Sequence, residues 1–562
     1  MWPTVLAKAR VALAGAVGPF VLMLASVVLL QGANGAFRND FGGHSDEPAH
    51  FVTGLMMRDY LGSFAWSDPL RYAKDYYSHY PKVALGHWPP LFYLIQSIWT
   101  LVLPPTRASL LVLMALITAS LAVSLRGVLR AELTSCPWLG TLAGLVLIFL
   151  PLIQQSSGLV MSDILAALFC FLAAMRFGVY LDSGRLRDAT AFGLYASLAA
   201  MTKGNGLALA FLPPLAILID RRFDLLRRPS FWWPGVLVLL LCGPWYWLTR
   251  EMAANGMKNG GHPTLGFTTA AIGFQSSSLV SSIGVGLTAL AAVGLGTRLR
   301  GQHGGRWTAA AALIAGMALF QSAIPAGLEA RYLIPILPPA LMFVASGIIW
   351  TAGRLPLRRI ATVSGIAVVG LAAALIFVGE VFTLKPVACR GYSNAAVKLL
   401  SMPGRRDLPC LISSDPAGEG AFIAEVALRD GSRPYHKVMR SSNVLCSSDW
   451  IGGSYKLKAA TSREILETIE RNHVGIVVVD ETTPRISWLE HHFKLVEAIE
   501  AEPLRWVCLG SCDLIRRGRI TPRAIKIYKY NRANRLPGGT LPPSVPPEPA
   551  ALPARSPNTF SS

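Results

Sequence analysis

Two acids, Asp46 and Glu47, stand side by side in a chain that is otherwise short of charge: 15% of its 562 residues are charged and 52% are hydrophobic. They lie in Gly43-His44-Ser45-Asp46-Glu47-Pro48-Ala49-His50, and the same polar stretch closes on His87-Trp88-Pro89-Pro90. A carboxylate held near a bilayer surface can take the proton of a hydroxyl, and a well-placed general base contributes about 10²–10⁴ in rate. A plainer use exists. With Ser45 as cap, acids in the first turn and a proline early in the helix, the pair would simply satisfy a helix N-terminus. Helical spacing puts His50 one turn after Asp46 on the same face. There it would tune Asp46, help to bind a divalent metal, or be an ordinary polar helix residue. His87 is the other weak metal candidate, and its plainer role is to brace the Pro-Pro turn.

The elements that hold these residues are apolar. Runs near twenty residues long recur up to about Glu380 and then stop, and a hydrocarbon core of ~30 Å needs ~20 helical residues. Eleven spans are expected, near 11–31, 108–125, 139–154, 158–180, 189–202, 205–220, 233–250, 279–297, 307–325, 332–352 and 360–381. The first, preceded by Lys8 and Arg10, is expected to be a retained signal anchor with its N-terminus inside. Loops 126–138, 181–188, 221–232, 298–306 and 353–359 together hold fourteen Arg and four acids. The alternate short loops hold only Lys203, Arg250, Lys258 and Arg331 as basic residues. This asymmetry assigns the arginine loops to the cytoplasm and explains the net charge of +20 without nucleic acid. It also requires the short apolar segment Leu91–Leu103 to lie along the outer surface, since a crossing there would reverse every later loop. Residues 32–107 then form one exterior loop.

From Lys385 to Tyr530 the sequence is that of a globular domain. Cys410–Ser413 and Val474–Asp480 have the unbroken apolar pattern of buried parallel strands, and Glu419–Arg429 and Ser462–Asn472 that of amphipathic helices. Alternation of the two predicts a small α/β domain over 384–530. Ser414-Asp415-Pro416-Ala417-Gly418 is expected to be a plain strand-to-helix turn. Residues 531–562, rich in Pro, Ser and Ala, are expected to be disordered. Five of the eight cysteines fall in this exterior part, where oxidation is chemically open, and Cys508 and Cys512 are too sparse for a zinc site.

The acidic pair, His87-Trp88-Pro89-Pro90-Leu91-Phe92-Tyr93, Met161-Ser162-Asp163, Met201-Thr202-Lys203-Gly204, Pro244-Trp245-Tyr246 and Arg331-Tyr332-Leu333-Ile334-Pro335 follow one another in an order that resembles the GT-C superfamily of integral-membrane glycosyltransferases. The resemblance covers about 10–380 and is closest to the branch of protein O-mannosyltransferases and lipid A aminoarabinose transferases. It implies a polytopic α-helical membrane domain over 1–383 carrying a C-terminal exterior domain. It also implies a polyprenyl-phosphate-linked sugar as donor, a hydroxyl of a lipid, glycan or protein as acceptor, and inversion at the anomeric carbon. Asp46 matches the acid that activates the acceptor, and Glu47 would hold it in place or touch the acceptor. Such an enzyme needs cations at the departing phosphate. The candidates are Lys203, Arg331, Arg107 and Lys82, with Asp163 positioning Lys203 or Arg331 and His87 facing the same cavity. Lys203 stands beside Gly204 and Gly206, where backbone could approach a phosphate. In the bacterial cell the site would face the periplasm from the inner membrane. The aminoarabinose branch usually carries Glu-Lys directly before Pro-Pro, where this chain has His87-Trp88, so donor identity and metal dependence stay open. Two rivals remain. One is a transporter or lipid flippase, which should show charged or broken helices at mid-membrane and two repeated halves. The other is a catalytically silent assembly protein on the same scaffold.

Overall fold

The structure, a computed structural model, describes residues 2–64, 67–257, 264–301, 304–324, 327–354, 362–386, 388–402, 408–448, 454–516 and 518–531. The tail from 532 onward, expected to be disordered, lies outside the described residues. Helix α1 (Trp2–Ala33) leads into a loop with three helices, α2 (Glu47–Gly62), α3 (Pro69–His79) and α4 (Leu91–Val102). The apolar body follows: α5 (Arg107–Glu132), α6 (Trp138–Phe149), α7 (Pro151–Ser157), α8 (Asp163–Ser183), α9 (Leu186–Thr202), α10 (Leu212–Asp220), α11 (Pro229–Met257), α12 (Leu265–Ile283), α13 (Val285–Arg300), α14 (Gly305–Ala323), α15 (Leu337–Arg354) and α16 (Thr362–Glu380).

Among the described residues, four helical runs are long and apolar enough to cross a membrane: α5, α8, α11 and the continuous stretch Ala330–Arg354 that ends in α15. Two bent pairs bring the number to six if each is one span, and the shorter apolar runs Val17–Ala33, Gly204–Asp220 and Ser364–Glu380 lie where three more of the eleven expected spans fall. Several runs are shortened by breaks. Pro151 cannot continue α6, so α6 and α7 meet at 65°. Residues Gly204–Phe211 are wound as a tight 3-10 segment before α10. Residues 250–278, expected as a loop, instead contain most of α12. That helix meets α13 at 109° across Gly284, whose φ of 84° suits glycine best. Seven serines and threonines in α12 had hidden it from hydropathy.

Helix α4 has twelve residues, too few for a span. It exposes Leu94, Ile98, Leu101 and Val102 and buries Phe92, Tyr93, Gln96, Ser97 and Thr100 towards α2.

The C-terminal domain is built on a six-stranded sheet. Its strands are β1 (Cys389–Arg390), β2 (Cys410–Ser413), β3 (Val438–Arg440), β6 (Ile476–Asp480), β7 (Trp506–Arg516) and β8 (Arg519–Tyr530), in the order β1-β7-β8-β6-β2-β3. Strands β4 (Cys446–Ser447) and β5 (Lys456–Leu457) form a separate ladder. The parallel part is where the sequence placed it: β2 pairs with β6, Cys410 opposite Ile476, and with β3. The antiparallel β7–β8 ribbon was not foreseen. Its first strand carries Gly510, Ser511 and Asp513 instead of an apolar run, and its pairing slips at two bulges. Helices α17 (Tyr392–Leu400), α18 (Pro416–Arg429), α19 (Ser441–Val444), α20 (Ser462–Arg471) and α21 (Glu490–Ala501) complete the domain. Thr461 and Glu464 close a capping box on α20. All eight cysteines are free thiols.

Helix α18 packs directly against α2. Around this contact Arg433 Nε donates to Asp59 at 2.8 Å, the Tyr80 hydroxyl donates to Asp430, and Asp40 accepts the amides of Gly391 and Ser393. The loop that carries Asp46 is therefore held between the apolar helices and the C-terminal domain.

Candidate active site

Four helix ends converge near Asp46. Asp46 is the N-cap residue of α2, but its side chain makes no capping bond, and Ser45, the expected cap, lies one position earlier. The carboxylate turns away from its own helix. Its Oδ2 accepts from Arg331 Nη2 at 2.7 Å. Arg331 sits in the 3-10 turn Ala330–Ile336 that precedes α15. Asp163, the first residue of α8, accepts from Lys203 Nζ at 2.5 Å, and Lys203 is the C-cap of α9. The second oxygen of Asp163 lies 3.9 Å from Arg331 Nη1. Lys203 and Arg331 both lie over the Tyr332 ring, 5.0 and 5.4 Å from its centroid.

Asp46, Asp163, Lys203 and Arg331 are thus brought together from positions up to 285 residues apart. Three atoms here are buried without a hydrogen-bond partner among the described residues: Asp163 Oδ2, Arg331 Nη1 and Ser162 Oγ. Unused buried donors and acceptors are costly and mark a place where a ligand or water belongs. Burial works against the Asp46 charge, but the Arg331 guanidinium and then His44 outweigh it and hold the carboxyl below its usual value. The group is an ionised carboxylate at neutral pH, paired with Arg331, whose other end lies 3.9 Å from the Asp163 that holds Lys203.

Glu329 was missed by the sequence reading. It takes Arg331 Nε at 2.6 Å and Nη2 at 3.0 Å, and its Oε2 lies 3.5 Å from His44 Nε2. The signal available was an acid two positions before an arginine in a short loop between apolar runs.

The other expected residues lie elsewhere. Glu47 is fully buried behind Asp46 and accepts from Arg107 Nε at 2.9 Å and from the amides of Val160 and Gly43 at 3.2 Å each. Arg107, expected at a phosphate, instead spends its donors on Glu47 and on the carbonyls of Ala36, Asn39 and Gly158. The end of α1, the start of α5 and the turn after α7 meet there, and their free carbonyls need one donor-rich side chain. His50 is buried against Trp88, Phe92 and Tyr93, with Nδ1 3.1 Å from the Tyr93 hydroxyl. Burial pushes its imidazole down to about 3, so it is neutral. His87 lies in the exposed turn before α4. Neither histidine is gathered with other ligands: among the described residues no three His, Cys, Asp or Glu side chains form a metal-holding group. Gly206 packs on the backbone of Ala199, which explains that glycine, while the space beside Gly204 is open.

No protein-family model matches the chain, and no curated protein matches it in sequence. Solved structures do. ArnT from Cupriavidus metallidurans bound to undecaprenyl phosphate superposes with a TM-score of 0.56 at 13% identity, over 90% of this chain and 97% of that one. The same protein in the apo state gives 0.58 at 14%, over 92% and 98%. The archaeal oligosaccharyltransferase AglB from Archaeoglobus fulgidus, in complex with an inhibitory peptide and a dolichol-phosphate, gives 0.51 at 13%, over 93% and 75%. These likenesses extend over at least 90% of the chain, which therefore has the fold of these proteins.

Proposed function

We propose that the chain is an inverting glycosyltransferase of the bacterial inner membrane, with its N-terminus in the cytoplasm and its site and C-terminal domain on the periplasmic side. It moves a sugar from a polyprenyl-phosphate donor to an acceptor hydroxyl. The observation that carries this reading is the ionised Asp46 bonded to Arg331, with Asp163 joining that arginine to Lys203.

In the reaction the acceptor O–H gives its proton to Asp46 while its oxygen bonds to the anomeric carbon. The bond from that carbon to the phosphate oxygen breaks, and the electron pair leaves with the polyprenyl phosphate. Lys203 and Arg331 meet the charge that grows on the phosphate, and Arg331 Nη1 already has no hydrogen-bond partner among the described residues. Asp163 is a positioning residue for both cations. Glu47 and Arg107 brace the loop from behind. Undecaprenyl phosphate and dolichol-phosphate in the two neighbouring structures are ligands of the class this site suits.

The test is sugar transfer from labelled polyprenyl-phosphate donors in membranes with and without the protein, with the anomeric configuration of the product determined. Protein-dependent transfer with inversion is expected. Retention of configuration would contradict the assignment of Asp46 as base, and no transfer across a broad donor panel would contradict the enzyme reading.

A further inference from the structure

A second pair of cations lies on the other side of the Asp46 loop. Lys82 follows α3, and its Nζ has one hydrogen bond among the described residues, a long one of 3.5 Å to the carbonyl of Ser45, the residue before Asp46. Arg440 ends β3 in the C-terminal domain. Its Nε is held by Glu419 at 2.9 Å, while Nη1 and Nη2 make no hydrogen bond among the described residues. Lys82 Cε lies 2.8 Å from where a Cβ on Gly420 would stand, beside the Glu419 that holds Arg440, and burial and then the Arg440 charge push the Lys82 amine down to about 7.

Three carboxylates lie near Lys82, and each is already taken. Glu419 accepts from Arg440, Ser441 and Ser442; Asp415 holds Arg516 and the Gly418 amide; Asp46 holds Arg331. The approach is also built closely. A Cβ on Gly420 of α18 would come within 2.8 Å of Lys82 Cε and 2.9 Å of Pro48 Cγ. A half-buried lysine that feels an arginine's charge and bonds to no carboxylate among the described residues is unfavourable unless an anion joins it.

We propose that Lys82 and Arg440 form a subsite, shared by the loop and the C-terminal domain, for a phosphate or carboxylate carried by the acceptor. The inference rests on the glycosyltransferase reading above and adds the acceptor's chemistry and a role for the C-terminal domain. The donor phosphate has its own cations, Arg331 and Lys203. Lys82 and Arg440 instead reach the loop from the α18 side, next to Ser45, where an acceptor could present its hydroxyl to Asp46 without displacing the donor.

The test is acylation of the full-length protein in nanodiscs by limiting acetic anhydride at neutral pH, read lysine by lysine by mass spectrometry. Glucose 6-phosphate, glucuronate and glucose are added separately at matched ionic strength. Lys82 should be labelled, and one or both anionic sugars should slow its labelling severalfold while glucose does not. Which anion protects decides between phosphate and carboxylate. Arg440→Gln should remove the protection. Should that variant fail to fold because Glu419 loses its partner, Arg440→Lys keeps the pair and should weaken protection without abolishing it. No labelling of Lys82, no protection by either anion, equal protection by glucose, or protection unchanged in both variants would overturn the proposal. Stabilisation of the same protein by polyprenyl phosphate reads the Lys203–Arg331 site independently. Its loss with Lys82 protection intact would count against the donor reading and not against this subsite.

Discussion

Asp46 and Glu47 are neighbours in sequence with opposite fates. Asp46 is partly exposed and turned to Arg331, while Glu47 is fully buried and bound to Arg107. Removing one partner of a buried ion pair leaves an uncompensated charge and costs about 3–5 kcal/mol. Glu47→Gln should therefore lower the unfolding temperature of the purified protein markedly, and Asp46→Asn much less; equal losses would contradict the division of labour. The depressed Asp46 pKa has a second consequence. A carboxyl held below its usual value contributes stability above the unfolded pKa, lost as pH falls through the folded one, and the base stays ionised over the same range. In Arg331→Gln the main attraction is gone and burial prevails, so the acid limb of the pH–rate profile should move to higher pH. A limb that stays in place would show that Arg331 does not tune the base. Asp46, Asp163, Lys203 and Arg331 were legible because ionisable residues at the ends of apolar runs are few. The partnership of Glu47 with Arg107 spans 60 positions and leaves no local mark.

Helices position the site only if they pack closely, and two glycines let α13 and α15 do so. A Cβ on Gly294 would lie 1.9 Å from the Phe343 carbonyl oxygen, and one on Gly347 would lie 2.1 Å from that of Leu290. Small residues at such crossings let backbones touch. Gly347→Val should destabilise by about 1–3 kcal/mol, the range of overpacked cores, or prevent assembly. It should shift Arg331 as well, because the 3-10 turn that carries Arg331 continues into α15. Unchanged melting and activity would show that the crossing is looser than the structure has it. Most helices of the body were legible from hydropathy. The breaks were not, because Pro151 and Gly284 interrupt runs whose average composition stays apolar, and the serines of α12 mask a helix that packing completes.

At the scale of the molecule, the loop 32–107 joins the apolar body to the C-terminal domain and sets Asp46 against Arg331, with Lys82 bonded to the carbonyl of the residue before it. The parallel half of that domain could be read from its apolar strands. The β7–β8 ribbon and the contacts of Arg433 and Asp430 with the loop could not, since polar strands and long-range pairs carry no periodicity of their own. The whole arrangement has a purpose only if Asp46 acts as the base. The most direct measurement is sugar transfer from polyprenyl-phosphate donors by wild type and by Asp46→Asn at equal protein level, with polyprenyl-phosphate binding followed in parallel. The account predicts that the variant binds the lipid phosphate yet transfers about 10²–10⁴ times more slowly. Equal transfer by both proteins would contradict it.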